Sequence, residues 1–409
     1  MTPPKILLAG YNGANNTGAE AKLLAIIDEL RSVVGPNAVL TVPSLNVTNL
    51  CRYLHESETL KIKEVRPSIF YWDIWKLVKQ NDLIMLVEGS TYMDTWGAPL
   101  LWSYLLATRY AHSMKKPIVA YSVDAGTASR FNSWLIRREA SKTNLILART
   151  QKAAARLKNW GVKAPVEVTA DNAFSFDPNP ADEGLLKRVW PDASYVVGVA
   201  AEDIYKWPVV IRPWASSEFR YRWPYYYTHT KESQEKSGLL ADVLAVQADE
   251  LIEEYGTHVA LLSMEGLDAT FGKKIQSLMK HADKTKIFTS IEYNASQMTS
   301  ILRSLDFLIT SRYHAGVLSL ASQVPQTAIG HDLRIRDFYC DLGIEDLFVD
   351  HEDPDRYKHL SDNVETLFNQ YDAIKAKLRI GYEQYREREK RNIEFFKAFL
   401  EKNYPEWLP

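Results

Sequence analysis

Cysteine is nearly absent: Cys51 and Cys340 are the only two in 409 residues. They cannot build a disulfide framework or a cysteine-based zinc site. Such a chain suits a reducing compartment, and a cytoplasmic location is expected. Long hydrophobic runs are missing as well. No apolar stretch reaches the roughly 18 residues of a membrane span, and Ile6-Leu7-Leu8-Ala9-Gly10 is too short for the core of a signal peptide and predicts a first strand. Neither sign of charge is in excess: 49 Lys and Arg stand against 51 Asp and Glu, a net charge of −2. That balance excludes a nucleic-acid binder held by bulk charge, while leaving room for a local basic pocket. Metal motifs are also lacking. No His-Glu-x-x-His, Cys/His cluster or EF-hand loop occurs, Asp350-His351-Glu352-Asp353 reads as a solvated loop, and no metal is expected.

The chain does carry an alternation of short apolar runs and helix-length segments. Lys5–Ala9, Ala38–Val42, Leu83–Val87, Pro117–Tyr121, Asn144–Ala148 and Val166–Thr169 read as strands. Helical patterns such as Ala19–Ser32 and Leu101–Met114 lie between them, which predicts βαβ units and a parallel sheet. The turn-rich Asp177–Asp182 interrupts the series, and a second one follows: Tyr195–Ala200, His258–Leu262, Lys286–Thr289, Phe307–Thr310, Gln326–Ile329 and Asp346–Val349. The reading is an α/β protein of two Rossmann-like, doubly wound domains facing a cleft, over residues 1–178 and 179–360. Beyond them, apolar residues from Leu360 to Leu400 recur at three- or four-residue steps, predicting a helical segment over 361–409 that packs back across both domains.

In open parallel sheets ligands sit beyond the carboxyl ends of the strands, so chemistry is sought in those loops. The Gly-rich turn Gly10–Glu20 follows the first strand, with Asn15, Asn16 or Thr17 placed to cap a helix; it is neither Gly-x-Gly-x-x-Gly nor a P-loop. Glu88-Gly89-Ser90-Thr91-Tyr92-Met93-Asp94 offers carboxylates, Glu88 and Asp94, suited to sugar hydroxyls or to a base. Arg149, also after a strand, suits a carboxylate or phosphate. Ser311-Arg312-Tyr313-His314 carries the most chemistry: at a strand-to-helix junction it joins a fixed positive charge to a group titrating near neutrality. Arg334, after the next strand, is placed to share an anion with Arg312 and His314. The long aromatic and basic stretch from Tyr205 to Tyr227, including Trp207 and Trp223, offers faces for sugar rings, or equally a packed lid.

Taken in order, these residues resemble the polysaccharide pyruvyltransferase family over about residues 5–345. Asn16, Gly18 and Glu20 are similar to its opening Gly-x-x-Asn-x-Gly-Asp-Glu pattern. Arg149 matches its Arg after a strand, and Arg312 with His314 its Arg-x-His signature, with Pro325 following. Arg334, Phe338 and Leu342-Gly343 resemble its downstream basic residue and Leu-Gly pair. Three departures stand out: Ala19 for the usual Asp, Glu88-Gly89-Ser90 for a Gly-rich triplet, and Arg334 for a frequent Lys, which preserves the charge.

The resemblance implies a GT-B-like fold, an acceptor side in the first domain and a donor side in the second. It implies phosphoenolpyruvate as donor substrate, no separate cofactor, and a pyruvate ketal formed on a sugar diol. The acceptor would be a glycan or a lipid-linked saccharide; peripheral membrane association through it, and a homo-oligomer, are compatible with the sequence. Fitted to that chemistry, His314 is the general acid/base, Arg312, Arg334, Arg149 and Ser311 hold the donor, and Asn16, Glu88, Asp94, Trp207 and Trp223 face the acceptor. Two other readings compete. One is a nucleotide-sugar glycosyltransferase on the same fold, with Glu265 as the ribose ligand; the other is a non-catalytic glycan-binding member.

Overall fold

The computed structural model describes residues 3–409. The first sheet contains β1 (Lys5–Ala9), β2 (Val39–Ser44), β3 (Leu60–Glu64), β4 (Leu83–Leu86), β5 (Ile118–Val123), β6 (Leu145–Ala148) and β7 (Val166–Val168). All are parallel, in the order β3-β2-β1-β4-β5-β6-β7. After β8 (Val196–Ala200) the chain leaves the sheet to make a small antiparallel ribbon of β9 (Val210–Ile211), β10 (Arg220–Arg222) and β11 (Tyr225–Tyr226). It then resumes with β12 (His258–Ser263), β13 (Thr285–Thr289), β14 (Phe307–Thr310), β15 (Gln326–Gly330) and β16 (Phe348–Asp350). The second sheet runs β13-β12-β8-β14-β15-β16. Its order repeats that of the first six strands of the first sheet. Helices cover both faces of each sheet, which is why β4, β6, β8 and β14 are continuous buried apolar runs rather than alternating ones.

Two pieces of this architecture lie outside the sequence reading. The strand β3, Leu-Lys-Ile-Lys-Glu, is an edge strand whose alternate lysines face outward. The aromatic stretch after β8 forms the ribbon rather than an irregular loop. The ribbon crosses to the first domain: the Val209 amide donates to Trp96 O (3.2 Å), Arg222 Nη1 to Leu45 O (3.3 Å) and the Tyr225 hydroxyl to Pro67 O (3.2 Å).

The C-terminal segment is two helices, Arg356–Asn369 and Tyr371–Asn403, broken at Gln370. Leu360, Val364, Leu367, Ile374, Leu378 and Tyr385 join the core of the second domain, whereas Phe396 and Leu400 are buried in the core of the first. One helix therefore spans both hydrophobic cores, and Asn392 Nδ2 donates to Ala170 O (2.9 Å) between them. The domains also meet through the Gly-rich turn: the Thr17 amide donates to Met264 O (2.8 Å) and the Gly266 amide to Asn15 O (3.0 Å).

Phe396 is fully buried and meets Tyr121 edge-to-face at 5.8 Å. Phe396→Ala is expected to cost about 3–5 kcal/mol through lost burial and the cavity left behind. Denaturant titration checks this, and the loss should fall on the transition of the first domain if the two unfold separately.

Candidate functional site

Because both sheets share one strand order, both have a switch point beside their first strand, where connections diverge to opposite sides and leave a crevice. In the first domain the loops at that point follow β1 and β4; in the second they follow β8 and β14. A cavity of about 210 Å³ lies where these four loops converge. From the first domain it takes Tyr11, Asn16, Gly18, Glu88 and Ser90. From the second it takes Glu202, Glu265, Ser311, Arg312, His314, Asp332 and Arg334, with Trp207, Tyr221 and Arg222 arriving from the ribbon segment.

Of the residues singled out in the sequence, Arg312, Arg334, Ser311, His314, Asn16, Glu88 and Trp207 line this cavity. Three do not. Arg149 is wholly buried in the first domain, where Nε donates to Asp124 Oδ2 (2.9 Å) and Nη1 pairs with Asp171; its guanidinium lies 4.3 Å from the Tyr313 ring centre. Asp94 accepts from the Ser129 amide (2.9 Å) and from Asn132 Nδ2 (2.7 Å), ordering the start of the helix Arg130–Ala140. Trp223 is on the outer side of the ribbon segment, 54% exposed.

The chemistry of the cavity differs from the expected cationic cradle. Arg312 is ringed by carboxylates. Nη1 is 2.9 Å from Glu202 Oε2 and 3.4 Å from Glu265 Oε2, and Asp268 takes both Nε (3.0 Å) and Nη2. Burial pushes the Glu202 carboxyl up to about 8, against the pull of Arg312. It raises Glu265 and Asp268 in the same direction. A guanidinium facing three buried acids cannot keep all of them ionised, so Glu202 carries a proton at neutral pH. Arg334 is held by Asp332, with Nε at 2.9 and 2.8 Å from its two oxygens and Nη2 at 2.6 Å from Oδ2. Its guanidinium stacks on Trp96 (5.2 Å), and Nη1 makes no hydrogen bond to the described residues. That amine is the cationic donor left for an incoming anion.

His314 rests against the start of the helix Thr17–Val34. A side chain at Gly18 would run into its imidazole, so the glycine of the turn is required for a close approach. His314 Nε2 lies 3.6 Å from Asp171 Oδ2 across the domain junction, too long for a hydrogen bond and an ion pair only when the imidazole is protonated. Burial lowers the His314 pKa below its ordinary value, although the Asp171 charge opposes the shift. The imidazole is therefore neutral at pH 7. Asp171 is itself held well below the usual carboxylate range: burial alone would raise it, but Lys22 and Arg149 outweigh that.

The remaining cavity residues are braced from within. The Glu202 amide donates to Ser311 Oγ (2.8 Å), so Ser311 fixes the loop that carries Glu202. Asn16 caps its helix through the Ala19 amide (3.0 Å) and donates to Glu265 Oε2 (3.2 Å). Glu88 accepts from the Tyr11 and Ser90 amides (3.1 and 3.2 Å). Trp207 packs edge-on against Trp96 at 5.1 Å. Sequence reasoning missed Glu202 and Asp268 as members of the site; the position of Glu202 directly after β8, at the switch point, was the available signal.

Two repeated parallel sheets meeting at their switch points define a protein of the GT-B type. Solved structures agree. A UDP-GlcNAc 2-epimerase from Neisseria meningitidis, bound to UDP-GlcNAc, matches with a TM-score of 0.63 at 12% identity, covering 98% of this chain and 100% of that one. A putative UDP-N-acetylglucosamine 2-epimerase from Listeria monocytogenes gives 0.62 at 10% identity, covering 99% and 97%. HepE from Anabaena, in complex with UDP-glucose, gives 0.60 at 14%, covering 97% and 100%. At these identities the likeness is one of fold. No curated protein matches the chain by sequence. The family model for polysaccharide pyruvyl transferase matches residues 16–332, well over half of the chain, and the chain belongs to that family: it is a transferase enzyme.

Gly18→Ala tests how the imidazole is placed. It should shift the titration of His314, followed by NMR of the ring, and lower turnover by about a hundredfold if a displacement near 1 Å follows.

Proposed function

We propose that this enzyme transfers the pyruvyl unit of phosphoenolpyruvate onto a sugar diol, releasing phosphate and closing a cyclic pyruvate ketal. The observation that carries the reading is the meeting, in one cavity, of Glu202, whose carboxyl burial pushes up to about 8, His314, whose pKa burial lowers, and Arg334, whose Nη1 makes no hydrogen bond to the described residues. Family membership supports pyruvyl transfer; the donor and the ketal are the finer proposal.

Ketal formation begins with a proton delivered to the methylene carbon of the enol, which makes the neighbouring carbon electrophilic. Glu202, protonated at neutral pH beside Arg312, is suited to that delivery. The first acceptor hydroxyl then adds to this carbon, and His314 takes its proton. Asp171 stabilises the resulting imidazolium, as the carboxylate of a catalytic triad does. Phosphate leaves, and the second hydroxyl closes the ring. The two hydroxyl protons balance the reaction: one equivalent ends on the new methyl group and the other on phosphate. Arg334, and Arg312 once its acids are protonated, would hold the donor's carboxylate and phosphate. Asn16, Glu88 and Trp207 would face the sugar. Arg149 would act at one remove, by keeping Asp171 ionised. The pyruvyl unit comes from the substrate, so no separate cofactor is called for, and a phosphoenolpyruvate donor suits a cytoplasmic site of action.

Glu265 bears on the nucleotide-sugar alternative. Its two oxygens are engaged by Tyr11, Asn16 and Arg312, so a ribose would compete with these contacts. Incubation with phosphoenolpyruvate and a panel of oligosaccharides, read by mass spectrometry, should give a pyruvyl mass gain; a gain only with nucleotide sugars would replace this reading. His314→Ala should retain donor affinity in calorimetry and lose most turnover.

The pH dependence follows from the two groups. The base must be neutral, so activity should rise as pH climbs through a pKa below the ordinary 6.5 of histidine. The acid must be protonated, so activity should fall as pH passes about 8. Glu202→Gln should lower kcat at every pH and abolish the alkaline limb while leaving the acid limb in place. A profile unchanged in Glu202→Gln removes Glu202 from the proton path.

A further inference from the structure

The face of the first domain that lies behind the cavity has a composition unlike that of the whole chain. Three helices lie side by side there: Phe70–Gln80, Ala98–Ser113 and Arg130–Ala140, with the second in the middle. The segments 66–80, 98–116 and 130–142 carry ten lysines and arginines and two acidic residues, in a protein whose overall charge is −2. The two acids are Asp73 and Glu139, and both are buried: Asp73 pairs with Arg66, and Glu139 lies within reach of Arg109, Arg138 and Lys142. The outer surface of these helices is thus strongly cationic.

The same surface exposes large aromatic rings. Tyr71, Trp72, Phe131 and Trp134 are 51, 48, 61 and 49% exposed. They are arranged in pairs with cations above them. Trp72 stacks on Trp75 at 5.1 Å, with Lys76 over Trp72 and Lys79 over Trp75. Phe131 stacks on Trp134 at 6.1 Å, with Arg138 4.9 Å from the Trp134 ring centre. Exposed tryptophan and tyrosine rings interleaved with Lys and Arg are the composition of the boundary between water and lipid headgroups.

These helices also reach the cavity. Phe70, Ile74, Pro99, Leu100, Tyr104 and Ala107 line its apolar side, so two of the three helices present aromatic or basic residues outward and apolar ones inward. The ribbon adjoins them through Tyr225 and Pro67, and it adds the exposed Trp214 and Trp223 with Arg212, Arg220 and Arg222.

We propose that this face docks on an anionic lipid bilayer, bringing the acceptor side of the cavity to a saccharide carried on a lipid. The occupant is set by charge complementarity: a surface with an excess of lysines and arginines and with exposed aromatic rings fits anionic headgroups, whereas a second copy of this face would meet it with the same charge. The role assigned to docking rests on the proposed acceptor chemistry; the docking itself does not.

Co-sedimentation of the full-length protein with vesicles tests the proposal. The protein should bind phosphatidylcholine vesicles containing phosphatidylglycerol, bind phosphatidylcholine alone far more weakly, and be released by salt. Lys79→Gln combined with Arg137→Gln should weaken binding by at least about tenfold, as loss of two juxtamembrane charges does. Trp72→Ala with Trp134→Ala should weaken it and remove the tryptophan blue shift seen on binding. Both double variants should keep wild-type pyruvyl transfer to a water-soluble acceptor and wild-type thermal midpoints. No binding to the anionic vesicles overturns the proposal, as does equal binding to both kinds. A salt-sensitive or Trp72-dependent dimer in sedimentation, without vesicle binding, overturns it in favour of self-association. Vesicle binding without pyruvyl transfer to any acceptor would sink the functional reading and leave the docking face standing.

Discussion

Asp171 is the charge that the two domains share. It follows the last strand of the first sheet, is fully buried, and faces Arg149 and Lys22 on its own side and His314 on the other. A lone carboxylate at such depth would be untenable; removing one partner of a buried pair typically costs about 3–5 kcal/mol. Arg149 makes it tenable, and Asp124 in turn accepts a hydrogen bond from Arg149 Nε. The residue with the largest wholly buried side chain therefore serves the cavity without touching it. It fixes the anion against which the imidazole of the opposite domain is seated, and Gly18 supplies the space.

The second half of the cavity follows a different rule. Around the cavity as a whole the carboxylates Glu88, Glu202, Glu265 and Asp332 outnumber the cations Arg222, Arg312 and Arg334. A dianionic ligand could not enter a pocket in which every acid was ionised. Burial resolves the conflict by raising the acids around Arg312, so that protons take the place of counter-ions. Binding of an anion and protonation of those acids then favour each other. In the proposed reaction, the proton required at the enol carbon would come from beside the guanidinium that would hold the donor. Acid chemistry and anion recognition become one electrostatic arrangement, and neither needs a net positive pocket.

Much of the fold was legible because parallel strands covered on both faces must be continuous apolar runs, and twelve such runs were visible. The runs that failed to show were amphipathic or aromatic. Leu60–Glu64 alternates with lysines as an edge strand does, and the ribbon strands are two or three residues long and rich in Arg and Tyr. The site was legible as a set of strand ends, since Arg312, His314 and Arg334 follow adjacent strands β14 and β15. Its charge state was not. Glu202, Glu265 and Asp268 stand 110, 47 and 44 positions before Arg312, and only the strand order brings them together. Arg149 read as a ligand because a strand end points toward the cleft; the pair of aspartates that captures it comes from two other strand ends and has no local signature.

The same topology accounts for the uneven polarity of the cavity. At a switch point the helices that follow neighbouring strands leave to opposite faces of the sheet, so the crevice has one wall of loop backbone and polar caps and another of helix sides. Here the polar wall is built by the second domain and by the Gly-rich turn, where carboxylates and guanidinia can be braced by backbone amides. The apolar wall is built by Phe70–Gln80 and Ala98–Ser113, whose inner residues Ile74 and Leu100 reach the cavity while Leu77 and Leu101 pack the core. A ligand that fills the whole space must itself be two-sided, acidic or hydroxylated at one end and apolar at the other. No single small anion satisfies that description. In the proposed reaction a small anionic donor would take the polar wall and the carrier end of the acceptor the apolar one, and seating both would call on two sheets rather than one.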